Sequence, residues 1–360
     1  MKLSVCMIVK NEERVLDRCL SWVSRIADEL IIVDTGSEDG TRDIALKYTP
    51  FVYDYKWNGS FCNARNFSYG KATGDYIMWA DADDLVDEEN ILKILRLKEE
   101  DFCGADVVYM TYRQYSETGI TEYLLRDRVI RRSLNPRWTS DVHETITIYS
   151  SYNMIYRSDI VILHKKEHVN EPGRNLKIFE HDIQNGCLFN EHELLNLCSE
   201  YTAAGRYEEA CSIYRSIRKR LTERDCINGI ITASAPFYKL GLFKELIDLI
   251  DEAAPKMPGV AQVEYVKGLC MEAMGDIKAS EVFYREAVNT PDDPLTMAVI
   301  RTGYNDYYPY LRLAGIKEKE GKLTEALGFL TCAGQSYPKE KGWQVMTLHI
   351  LAHPSWSCSK

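Results

Sequence analysis

No apolar run in this 360-residue chain approaches the roughly 20 residues that cross a bilayer, so no membrane span is expected. Positive charge is also scarce. Against 54 Asp and Glu stand 44 Lys and Arg, and the net charge of −10 disfavours nucleic acid as a partner and leaves no basic amphipathic stretch for a membrane surface. The 11 cysteines are odd in number and no two stand at Cys-x-x-Cys spacing. They read as reduced thiols of a bacterial-type cytoplasm rather than a disulfide frame or zinc site. The first apolar run is broken by Lys10-Asn11-Glu12 before any cleavage-like site, so no signal peptide is expected, and a cytoplasmic location is. Two phosphate-binding fingerprints are missing as well: neither Gly-x-Gly-x-x-Gly after the first strand nor Gly-x-x-x-x-Gly-Lys-Ser/Thr occurs. A bound diphosphate would then need a metal to neutralise it.

What is present is an alternation of strand, loop and helix. Leu3 to Val9 is an apolar run ended by Lys10-Asn11-Glu12-Glu13 and followed by a helical pattern through Val15, Leu16, Leu20 and Val23. Leu30 to Val33 stops at Asp34-Thr35-Gly36-Ser37-Glu38-Asp39-Gly40-Thr41, whose glycines permit a sharp turn and whose Ser37, Asp39 and Thr41 can cap the helix Arg42 to Tyr48. A short strand at Phe51 to Tyr53 and a helix from Phe61 to Tyr69 lead to Tyr76 to Ala80, then Asp81-Ala82-Asp83. The pattern predicts an α/β fold, a mostly parallel sheet with helices on both faces and ligands at the carboxyl ends of its strands. Asn11, Glu12, Asp34, Asp81 and Asp83 all fall at such ends. Two carboxylates one residue apart can hold a divalent cation, although the same motif often merely caps the next helix. Asp34 can accept from a uracil imide or a ribose hydroxyl, or it can be a turn residue of Asp-Thr-Gly.

The runs Leu3 to Glu12 and Ile32 to Thr41, then Trp57 with Phe61 to Asn66, then Asp81 to Asp84 resemble the ordered signature of family 2 glycosyltransferases with the GT-A nucleotide-sugar-binding fold. Trp138 with Val142-His143-Glu144, and Ile162-Leu163-His164, are similar to acceptor-side elements of the subgroup that carries tetratricopeptide repeats, which includes sublancin-type peptide S-glycosyltransferases and flagellin-modifying enzymes. The resemblance implies a UDP-sugar donor contacted by Val9, Asn11, Glu12, Asp34, Arg65, Asp81 and Ala82. It implies Mn²⁺, or Mg²⁺, held by Asp83 and His164, an imidazole pointing toward manganese; the plainer reading of His164 is that it only ends a strand. Inverting members take the acceptor proton with an acidic residue near Glu144; His143 is the substitute, and a loop pair bracing the Trp138 segment is the plainer alternative. Relatives usually have His-x-Gly-Tyr where this chain has His164-Lys165-Lys166-Glu167, which leaves the acceptor loop open.

From Glu191 onward strand patterns vanish and a glycine-centred phrase returns four times, at Gly205, Gly241, Gly275 and Gly321. The first three lie close to the 34-residue tetratricopeptide period apart, and an insertion carrying Pro291-Asp292-Asp293-Pro294 lengthens the last step. Tyr201, Tyr207, Tyr214, Tyr265 and Tyr284 read as repeat core, and Arg215, Arg218, Lys219 and Arg220 as a solvated face. The expected organisation is a GT-A domain over residues 1–180 and an all-α TPR-like repeat domain over 190–360. Repeat surfaces suit a peptide or protein acceptor, or pair two protomers as a homodimer. The rival readings are a transferase for cell-surface glycan and a non-catalytic repeat scaffold with a degenerate transferase domain.

Overall fold

The computed structural model describes residues 1–166, 173–257, 259–296 and 298–352. Glu167 and positions 353–360 of the expected repeat domain lie outside the described residues. The chain divides into two compact units, Met1–Tyr115 with Tyr123–Leu188, and Ser116–Glu122 with Phe189–Lys360.

The first unit runs β1 (Leu3–Val9), α1 (Leu16–Ile26), β2 (Glu29–Asp34), α2 (Thr41–Tyr48), β3 (Val52–Asp54), α3 (Phe61–Tyr69), β4 (Tyr76–Trp79), β5 (Asp84–Leu85), α4 (Glu88–Glu99), β6 (Val107–Gln114), β7 (Glu122–Arg131), β8 (Arg137–Thr139), β9 (Thr145–Thr147), β10 (Met154–His164) and α5 (Arg174–Gln184). Its main sheet has the order β3-β2-β1-β4-β7-β6-β10-β5. The β3-β2-β1-β4 half is parallel, as is the β6–β10 pair. The sheet becomes mixed where β7 returns antiparallel between β4 and β6, and where β5 closes antiparallel on β10.

Burial explains why the first strands read as continuous apolar runs. Leu3, Val5, Met7 and Val9 face one side, packing with Leu16, Leu20, Val23 and Ile26 of α1 and Ile91, Ile94 and Leu97 of α4. Cys6, Ile31, Val33, Ile77 and Trp79 face the other, against Tyr69 of α3 and Trp138 of β8. A strand covered on both faces has no polar alternation to show. Asp87, not Asp81 or Asp83, caps α4, its Oδ1 accepting from the Asn90 N–H at 2.9 Å. The aspartates at the end of β4 are therefore not spent as helix caps.

The second unit consists of helix pairs: α6 (Glu191–Ala203) with α7 (Tyr207–Ile217), α8 (Glu223–Lys239) with α9 (Phe243–Ala253), α10 (Ala261–Ala273) with α11 (Ile277–Asn289), and α12 (Tyr308–Lys319) with α13 (Leu323–Ser336), then α14 (Lys341–Leu351). Gly205, Gly241, Gly275 and Gly321 sit at the four turns with φ of 75°, 73°, 88° and 75°. That left-handed conformation ends a helix at little cost only when no Cβ is present. Tyr201, Tyr214, Tyr265 and Tyr284 are buried between helices, while Tyr207 is half-buried. Arg215 and Arg218 form ion pairs with Glu245 and Glu252 on the outside.

Candidate active site at the rim of the sheet

β1 and β2 end level, Val9 opposite Asp34, and the loops that follow them are laced together. The Val9 carbonyl accepts from both the N–H and the hydroxyl of Thr35, at 3.0 and 3.1 Å. Asn11, in the left-handed region at φ 55°, donates its N–H to Ser37 Oγ and accepts the Glu38 N–H on its side-chain oxygen at 2.8 Å. The Glu12 N–H reaches Thr41 Oγ1 at 2.6 Å. Asp34 is buried, and its Oδ1 accepts the N–H groups of Gly36 and Ser37 at 3.0 and 2.8 Å across a turn in which Gly36 takes φ 106°. One carboxylate oxygen thus shapes the turn.

Beyond β4 the carboxylates gather around one arginine. Arg65, presented by α3, donates Nη2–H to Asp81 Oδ1 at 2.8 Å and Nε–H to Glu144 Oε1 at 2.7 Å. Its guanidinium lies 4.7 Å from the Trp138 ring centroid and 5.4 Å from that of Trp79. The Asn66 side chain fixes β8 to α3, donating to the Trp138 carbonyl at 2.8 Å and accepting its N–H at 2.9 Å. Burial would raise the Asp81 carboxyl, but the Arg65 and Arg128 guanidiniums outweigh it and hold Asp81 below the usual aspartate range. Glu144 points inward, its side chain 15% exposed, whereas His143 is exposed at φ 51°. The carboxylate, not the imidazole, faces the arginine.

His164 ends β10 and turns its Nδ1 toward Asp83 Oδ1 at 3.1 Å and Asp84 Oδ1 at 3.4 Å. Burial disfavours the charged imidazole, yet the adjacent Asp83 and Asp84 carboxylates prevail and raise it to about 9. Asp81, Asp84 and His164 each bring one ligand atom within 4.8 Å of the others. Hard carboxylate oxygens with one imidazole form a donor set that suits Mn²⁺ or Mg²⁺, so these three fit the expected metal, with Asp84 in the set and the expected ligand Asp83 beside it against His164. Burial, then the charges of Asp83, Asp81 and Asp39, push Glu12 up to about 7, which places its carboxyl in the same field. Ala82 turns its methyl into the core and leaves only its main chain for a ligand.

Residues 4–162 match the family described as glycosyl transferase family 2. They form a family 2 glycosyltransferase domain. The chain is 34% identical over 146 residues to a TPR repeat-containing protein of Synechococcus elongatus, covering 40% of this chain and 35% of that protein. It is 34% identical over 147 residues to the SPbeta prophage-derived glycosyltransferase SunS of Bacillus subtilis, covering 38% and 33%. The matches span about a third of these curated relatives. A solved structure of Staphylococcus aureus TarS 1-349 in complex with UDP-GlcNAc aligns at 14% identity over 79% of this chain and 90% of that one, with a TM-score of 0.39.

Within the family 2 domain the structure brings Asp81, Arg65 and Glu144 into contact, and Asp83 beside His164. Two residues that sequence reasoning assigned no role complete the arrangement. Asp84 is fully buried, its Oδ2 accepting from Arg128 Nη1 at 3.1 Å and from the Asp81 N–H at 3.1 Å. Arg128, equally buried, also donates to the Trp79 carbonyl and lies 3.6 Å from the Trp79 ring centroid. Tyr112 adds a hydroxyl 3.4 Å from Asp81 Oδ2. β7 carries Glu122, Arg126, Asp127, Arg128 and Arg131, so nothing in its pattern sets Arg128 apart from its half-buried charged neighbours. Cys62, the thiol nearest this region in the sequence, contacts Asp141 Oδ1 at 3.5 Å, and burial pushes it up, so it stays protonated.

Proposed function

We propose that the chain is a metal-dependent, inverting glycosyltransferase that moves a hexose from a UDP-sugar to a hydroxyl or thiol of a peptide or protein. The observation that supports this most is the Arg65 fork, which joins Asp81 of the Asp-x-Asp motif to the carboxylate of Glu144. In this reading Asp34, Asn11 and Glu12 line the uridine side and Arg65 orients both flanking carboxylates. Glu144 takes the proton of the attacking O–H or S–H as the new bond to the anomeric carbon forms on the face opposite the leaving group. The bond from that carbon to the diphosphate oxygen breaks, and UDP departs with the electron pair. Asp81, Asp84 and His164, with Asp83 beside the imidazole, would hold a divalent cation, which supplies charge neutralisation to the diphosphate. Stacked helix pairs offer the extended surface that a chain-like acceptor needs.

Titration with UDP in the presence of Mn²⁺, and hydrolysis of UDP-glucose, UDP-galactose and UDP-N-acetylglucosamine, test the reading. Asp83→Ala is expected to abolish Mn²⁺-dependent UDP binding. Glu144→Gln is expected to keep UDP binding while lowering turnover by about 10²–10⁴-fold, the usual worth of a general base. Unchanged binding in the first variant, or silence of the parent protein on every UDP-sugar, would refute it; the silence would favour a scaffold.

A further inference from the structure

Three guanidiniums lie against one indole. The Trp79 ring centroid is 3.6 Å from the Arg128 guanidinium, 5.2 Å from that of Arg126 and 5.4 Å from that of Arg65. Two of these cations are neutralised within the protein. Arg65 is met by Asp81 and Glu144, and Arg128 by Asp84 and the Trp79 carbonyl. Arg126 differs: it is partly buried, it stacks on Trp79, and it makes no ion pair among the described residues.

Its position follows from strand register. β7 runs antiparallel to β4 with Val129 opposite Met78, so residues of β7 before Val129 rise toward the end from which Asp81 and Asp83 emerge. Arg126, paired with Met110 of β6, stands at that rim, on the indole that also borders Arg65. A partly desolvated guanidinium recovers only part of its hydration from an aromatic face, and a carboxylate adds a bidentate pair that the ring cannot.

The charge it would meet can be found by elimination within the proposed reaction, on which this inference rests. The donor diphosphate is provided for by the Asp81, Asp83 and His164 cluster, and a neutral hexose brings no charge. What remains is the acceptor. We infer that Arg126 positions the acceptor by binding a carboxylate beside the residue that is glycosylated, so that the enzyme selects acidic sequence contexts. Arg126 touches no reacting atom in this account; it sets where the acceptor chain lies.

A synthetic peptide library with a central Ser, Thr or Cys and randomised flanks, incubated with UDP-sugar and Mn²⁺ and read by mass spectrometry of glycosylated products, tests this. Products of the parent enzyme are expected to be enriched about tenfold in Asp or Glu at a flanking position. That enrichment should fall to background in Arg126→Gln, survive in part in Arg126→Lys, and turn to Lys or Arg in Arg126→Glu. Equal acidic enrichment in the parent and Arg126→Gln overturns the inference, as does a parent with no acidic enrichment. Melting temperatures within a few degrees of the parent establish that the variants fold, and Arg126→Lys separates loss of charge from loss of packing. UDP-sugar hydrolysis by the parent, measured in parallel, distinguishes the failures: hydrolysis without acidic enrichment sinks only the role of Arg126, whereas absence of both sinks the transferase reading.

Discussion

Replacing Arg65 by Met should reveal how the rim of the sheet is held together. The side chain is 11% exposed and satisfies two carboxylates that are themselves mostly shielded, Asp81 at 24% and Glu144 at 15%. Met fills a similar volume between Trp79 and Trp138 but leaves both acids without their cation. Removing one partner of a buried ion pair costs about 3–5 kcal/mol, because the remaining charge stays desolvated. In a domain of this size that lowers the melting midpoint by roughly 6–20 °C. The pH dependence gives a second, independent readout. Arg65 helps hold Asp81 below its usual 3.8, so this stabilisation is fully present above about pH 4 and is lost as pH falls further. The variant should therefore lose most against the parent near neutral pH, and the gap should narrow as acid protonates Asp81. Tryptophan fluorescence during heating from pH 7 down to pH 3 measures both. A midpoint within 2 °C of the parent at pH 7, or a gap that widens in acid, would refute the claim that the fork is a net attractive pairing.

Two further outcomes follow from groups away from the rim. Glu29, 7% exposed, accepts from Ser4 and Thr73 and pairs with Lys2; burial opposes its charge, but these bonds lower it from 4.5 to about 2. Its stabilisation, on the order of 3 kcal/mol, is complete above pH 4.5 and lost toward pH 2, so Glu29→Gln should cost most at neutral pH and least near pH 2, and a pH-independent difference in unfolding midpoint would contradict this. Gly268 in α10 leaves room for the fully buried Tyr284, whose ring carbons would stand 2.5 and 2.6 Å from an added Cβ. Gly268→Ala should destabilise the repeats by about 1–3 kcal/mol in urea unfolding despite alanine's higher helix propensity, and a neutral or stabilised variant would show that the ring can move aside.

The parts of the molecule that were legible in the sequence share a physical property: local chemistry decides them. β1, β2 and β4 announce themselves because both faces are covered, and the four repeat turns because left-handed backbone selects glycine. The acidic residues at strand ends were legible as candidates, since a strand's carboxyl end is a matter of direction alone. Which of them act together was not. Asp87 stands four residues beyond Asp83 and takes the capping role, while Asp84, adjacent to Asp83, disappears into the core against an arginine 44 positions away. Hydropathy has no means of marking Arg128 as interior. Its burial is tolerable only because Asp84, the Trp79 carbonyl and the rings of Trp79 and Tyr112 surround it, and those partners come from three other strands, β5, β4 and β6. The same reasoning says where sequence will mislead in such sheets. Where an antiparallel strand returns between two parallel ones, as β7 does, its arginines meet the acidic loops of neighbours far away in the chain, and a strand that looks too charged for the core becomes the wall of the site.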